Sequence, residues 1–193
     1  MDALRVSALR AALAGSGWPE SARDFGGELH RSVTGRGGRG LLLVGTAGYE
    51  PWHLAAHLGD EALRSGAAAL APTLLRHVVP PGAPDHLAHG LRRLSESPRR
   101  TTVLVVAPDA ADERLLERIQ DARRGGAAVF ALDGGEEELG PLAHQRLAVP
   151  GATEEPFDLL QHLVGSAAGS VRRPQRWWRR LAVRITAPPA LHW

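Results

Sequence analysis

The chain has 193 residues, 44% of them apolar and none of them cysteine. That length suits one domain with a substantial core. The apolar share excludes wholesale disorder, and the missing thiols exclude disulfides, thiolate metal sites and a cysteine nucleophile. Net charge is only +2 although the isoelectric point is near 10.2. The chain has no Lys and no Asn, as GC-rich coding favours, and its cations are Arg, whose very high pKa holds the isoelectric point up. So balanced a body gives no case for nucleic-acid binding. No stretch reaches the roughly 20 apolar residues of a membrane span. Asp2 and the lack of a long apolar run argue against a signal peptide, so a cytoplasmic location is expected.

No internal repeat is present. Asp2 to Ala14 sets Leu4, Val6, Leu9 and Leu13 at helical spacing ahead of Gly15 and Gly17, and Ser21 to Val33 is a second helical stretch. The run Gly35-Arg-Gly-Gly-Arg-Gly40 breaks the pattern. It precedes a strand, whereas a dinucleotide fingerprint follows one, so it reads as an entry turn and no nucleotide cofactor is expected. Short apolar runs at Gly40–Gly45, Thr101–Ala107 and Ala127–Leu132 predict strands, with a weaker one at Gln145–Val149 and a fifth at Ala67–Ala71. Continuous apolar strands are buried on both faces, as in a parallel sheet covered by helices.

Helices are expected between them at His53–Arg64, Pro84–Leu94, Ala111–Arg124 and Glu154–Ala168. Alternation of this kind predicts an α/β fold, a three-layer α/β/α sandwich with a doubly wound, mostly parallel five-stranded sheet and N-terminal helices. Residues 1–36 are expected to hold helices packing on the domain or a partner subunit, 37–169 the α/β domain, and 170–193 a basic, aromatic tail. Ligands of such sheets bind beyond the carboxyl ends of the strands, which directs attention to Gly45–Glu50 and Ala107–Glu113.

At these strand ends the sequence resembles the sugar isomerase (SIS) family, in its phosphoheptose isomerase branch. The segment LLLVGTAGYEPWHLAAHL is similar to that family's first strand, Gly-rich loop and helix. TTVLVVAPDAADERLLERIQDARRGGAAVFALDG is similar to the strand, loop, helix and strand that follow, GPLAHQRLAVPG to the next short strand, and EEPFDLLQHLVG to the closing helix. The likeness covers residues 20–168 and implies the SIS fold, with sites between subunits of a homodimer or homotetramer.

The loops depart from the family. Its first loop carries a serine for the sugar phosphate, where this chain has Gly45-Thr-Ala-Gly-Tyr-Glu50 with Tyr49 near the serine's place. Its second loop is rich in Ser, Thr and Gly, where this chain has Asp109, Asp112 and Glu113. Two readings of these acids stand side by side. They cap the next helix, which the dipole favours, and they repel a dianionic phosphate. Candidate ligand-binding residues are Thr46, Gly48, Tyr49, Glu50, Asp109 and Asp112.

His53 and His57 are four apart, a spacing that puts two imidazoles on one helix face. Zinc-containing phosphoheptose isomerases carry a His and a Glu there, with a Gln and a His eight apart on the closing helix. The resemblance therefore implies a metal set of His53, His57, Glu154 and His162, suited to Zn2+. It also places His57 and His162 where the family moves protons; an aldose–ketose isomerisation needs a base with pKa near 7. Nine histidines also give such pairs by chance, and His86 with His89 reads as a surface pair. Trp52 reads as core or pocket wall. No G-x-S-x-G marks a serine hydrolase.

The tail carries Arg172, Arg173, Arg176, Arg179 and Arg180 around Trp177 and Trp178. Docking on a partner protein or subunit, contact with an anionic membrane and a disordered terminus all stand as readings. Two functions follow. One is a non-catalytic SIS-like module for ligand sensing or protein interaction. The other is a metal-dependent sugar or polyol isomerase acting on something other than a typical sugar phosphate.

Overall fold

The structure is a computed structural model and describes residues 17–135, 137–148 and 154–170, with side chains from 157 onward in the last segment. The expected helix at Asp2 to Ala14 and the tail at 171–193 lie outside the described residues. Helix α1 (Trp18–Thr34) leads into β1 (Leu41–Val44), α2 (Trp52–Ser65) and β2 (Pro72–Leu75). The single-turn α3 (Arg92–Ser95), β3 (Thr102–Ala107), α4 (Glu113–Arg124), β4 (Ala128–Asp133), β5 (Gln145–Ala148) and α5 (Glu154–Ser170) follow.

The five strands form one sheet in the order β2-β1-β3-β4-β5. Every pairing is parallel, with Leu41 opposite both Pro72 and Thr102, Thr102 opposite Ala128, and Phe130 opposite Gln145. Side chains alternate between faces, so each apolar strand feeds two cores. Leu41, Leu43, Leu104, Val106, Phe130 and Leu132 pack under α1, α2 and α5. Leu42, Val44, Val103, Val105, Val129 and Ala131 pack under α4 and the segment around Leu91 and Leu94. A fully buried Leu or Phe in either layer is worth about 1.5–3 kcal/mol.

Helix α1 belongs to this body, since Ala22, Phe25, Leu29 and Val33 enter the first core and the ring of Phe25 meets that of Phe130 edge-on at 5.5 Å. At its crossing with α5 a Cβ on Gly26 would lie 2.6 Å from the Ala167 Cβ, and buried His30 donates through Nδ1 to the Ala168 carbonyl at 2.7 Å.

Two expected elements differ. The strand expected at Ala67–Ala71 is a 3-10 turn at Ala68–Leu70, and β2 begins at Pro72. Proline lacks the ladder donor but is accepted at the first residue of an edge strand, which β2 is. The helix expected at Pro84–Leu94 is a 3-10 turn at Asp85–Leu87 followed by α3. Gly90 interrupts it and pairs with Arg76 in an isolated parallel bridge.

Candidate functional site

The strand order reverses between β1 and β3, because β1 connects outward to β2 while β3 continues toward β4. The loops after β1 and β3 meet beyond this point, where doubly wound sheets hold their ligands. Gly45 starts the first loop, and a Cβ there would lie 1.8 Å from the Tyr49 carbonyl oxygen, so the loop folds back as only glycine allows.

Five of the six candidate residues in the two loops have an internal partner. Buried Thr46 donates its hydroxyl to Asp109 Oδ1 in a short hydrogen bond. Gly48 lies beside the same carboxylate, its built Cβ 2.9 Å from Asp109 Oδ2. Asp112 caps α4 by accepting from the Leu115 N–H at 2.8 Å, and His77 stands 3.8 Å from it. Glu50 pairs with Arg76 at 2.9 Å and accepts from the Trp52 indole at 2.7 Å. Tyr49 accepts from Gln161 Nε2 at 2.8 Å and meets Phe157 edge-on. Asp112 thus follows the capping reading, whereas Asp109 does not cap the helix but holds the remaining hydroxyl of the first loop. The mouth is closed on itself and lined with carboxylates.

The histidines form a second feature on the outer side of α2 and α5. Nε2 of His162 is 3.0 Å from Nε2 of His53 and 3.1 Å from Nε2 of His57. One nitrogen from each of the three rings lies within 4.8 Å of the others. Their convergence follows from local structure. The i,i+4 spacing puts His53 and His57 on one face of α2, and Gly165 leaves α5 flat beside it, with a built Cβ 3.6 Å from the His57 Cβ. His53 is exposed, and His57 and His162 are half-buried.

Burial is the first cause that lowers the pKa of both His57 and His162 below the usual imidazole value; neighbouring imidazolium charges are the second. Both shifts favour neutral rings with free lone pairs. Zinc–nitrogen bonds of about 2.0–2.1 Å in a tetrahedron set nitrogens about 3.3 Å apart, close to the spacing of the two short pairs. The trio could hold a metal. Glu154 opens α5, but its side chain lies outside the described residues.

Several site residues had not stood out as candidates in the sequence. Gln161 is fully buried, bridges Tyr49 and Asp158, and leaves its Oε1 without a partner. Its place next to His162 was the available signal. His77 meets the Gly45 carbonyl at 3.0 Å. Trp52 is not core: it is 42% exposed, with the Arg76 guanidinium 5.5 Å from its ring centroid.

No protein-family model matches the chain, nor does any curated protein. Solved structures do match. The sugar isomerase domain of an RpiR transcription factor from Sphaerobacter thermophilus is 15% identical at a TM-score of 0.52, covering 85% of this chain and 87% of its own. The NanR protein of Vibrio vulnificus, solved with ManNAc-6P, is 16% identical at 0.50, covering 94% of this chain and 75% of its own. A protein assigned as a phosphosugar isomerase from Silicibacter pomeroyi is 13% identical at 0.54; the match covers 88% of this chain and about half, 52%, of that protein. The chain therefore has the fold of sugar isomerase domains. No helix among the described residues is long and apolar enough to cross a membrane.

Proposed function

We propose that the chain is a non-catalytic sensing module built on the sugar isomerase fold, and that its ligand is a carbohydrate derivative without a phosphate. The Thr46–Asp109 hydrogen bond carries this reading. The hydroxyl that would grip a phosphate is occupied, and the group occupying it is an anion. Two structural neighbours, a transcription factor's sugar isomerase domain and a NanR protein bound to ManNAc-6P, support a sensing role at the level of fold. A homodimer or homotetramer is part of the proposal, as is partner docking through Arg172–Arg180 with Trp177 and Trp178, which lie outside the described residues.

The test is calorimetry with neutral, amino and phosphorylated sugars, with NMR to detect isomerised product. Saturable binding of an unphosphorylated sugar without turnover is expected. Turnover of a sugar phosphate, or sugar-phosphate binding that Thr46→Val abolishes, would sink it.

The histidine trio favours a second reading, a zinc-dependent isomerase similar to phosphoheptose isomerases. His53, His57 and His162 would hold the ion, with Glu154 as an added ligand. Zinc bound by three imidazoles would polarise a carbonyl or hydroxyl oxygen. In that reading His57 and His162 occupy the proton-transfer positions. Zinc-dependent exchange of a sugar C2 proton with solvent deuterium is the discriminating signal.

A further inference from the structure

We infer that the amino ends of the strands carry a separate binding site for a small phosphate-bearing anion, opposite the mouth described above. A cavity of about 230 Å3 is lined there by Ser32, Gly35, Arg36, Gly38, Arg100 and Gly126, with Ala128 at its base. Arg39 and Arg99 stand beside it: the Arg39 N–H donates to the Arg100 carbonyl at 3.2 Å, and a Cβ on Gly126 would lie 3.3 Å from Arg99 Cγ. All four arginines are exposed. None has a carboxylate partner among the described residues.

Helix C-termini offset some of this charge, since α1 and α4 both end here and Arg100 donates to the Arg36 carbonyl at 3.0 Å. A helix C-terminus contributes only about half a negative charge. Two of them leave most of four guanidinium charges uncompensated. Guanidinium groups are the side chains best matched to phosphate oxygens.

Backbone strain is the second observation. Arg100 is the one non-glycine residue with positive φ among the described residues, at 67°. A Cβ on Gly37 would lie 2.6 Å from its Nη1, so this guanidinium packs directly against the Gly-rich turn. Glycine would hold the same backbone without strain. Strain of this kind persists where a side chain is needed, and here it holds a cation over the cavity. The volume suits a phosphate or diphosphate group with a small substituent.

The test is titration of the full chain with pyrophosphate in EDTA, which removes any contribution from a histidine-bound metal. Saturable binding that weakens with added NaCl is expected. Arg100→Gly should weaken it at least tenfold while the melting temperature holds or rises. Arg36→Ser should also weaken it, and Arg114→Ser, an exposed arginine at the amino end of α4 away from the cavity, should not. Absence of saturable binding, or wild-type affinity in Arg100→Gly, overturns the inference. Tight binding of a short DNA duplex without pyrophosphate binding overturns it in favour of a nucleic-acid surface.

Discussion

The Thr46 hydroxyl and the Asp109 carboxylate join the loops after β1 and β3 across the point where the strand order reverses. Thr46 is buried, so a Thr46→Val variant removes a donor and leaves the carboxylate with one fewer partner. Asp109 is exposed and water can replace the lost donor, so a loss of about 0.5–1.5 kcal/mol of stability is expected, read from urea unfolding. Asp109→Ser should be milder, because a hydroxyl can still pair with Thr46. It should also raise sugar-phosphate affinity at this mouth, measurable by calorimetry.

Zinc binding should depend on all three imidazoles. Substoichiometric zinc by elemental analysis is expected for His57→Ala and His162→Ala, and near-complete loss for the double variant. A wild-type zinc content in the double variant would contradict a metal role for these rings.

In EDTA His57 and His162 should make stability depend on pH. The folded-state pKa of His57 and of His162 is lowered, chiefly by burial. The unfolded chain therefore binds more protons below the ordinary imidazole value of about 6.5. Stability should be fullest above that value and fall as pH drops through the lowered folded values. Chemical unfolding at a series of pH values should show the decline, reduced in His57→Gln.

The buried carboxylate of Asp133 accepts two parallel bonds from Arg146, each 2.8 Å. Arg146→Ala would strand that charge at the end of β4 and should cost about 3–5 kcal/mol. Arg146→Lys should recover only part, because an ammonium cannot reproduce the fork. Thermal melts of the two variants measure the difference.

At the crossing of α1 and α5, Gly26→Leu should destabilise by about 1–3 kcal/mol or more, since even a Cβ there would lie 2.7 Å from the Val164 carbonyl oxygen. A melting temperature equal to wild type would mean that the two helices can separate freely.

Much of the fold was legible because its strands are apolar on both faces. Leu41–Val44, Thr102–Ala107 and Ala128–Asp133 announce themselves by composition. Edge strand β2 did not: Pro72 and Thr73 break the apolar run, and alanines just upstream imitate one while forming a 3-10 turn. Periodicity put His53 and His57 on one face. The family resemblance added His162 to them, and the α2–α5 crossing brings its Nε2 to 3.0 and 3.1 Å from theirs, by a helix packing that is not written in local pattern. Nor could sequence show that Asp109 faces Thr46 from 63 residues away while Asp112 turns inward as a cap.

The imidazoles stand on two helices that already pack together, so the ligand set takes its shape when the chain folds, before any ion arrives. An ion binding such a set acts on the folding equilibrium by mass action. Free metal at a hundred times its dissociation constant would add about 2.7 kcal/mol. In that case the chain's own unfolding temperature becomes a gauge of the metal around it.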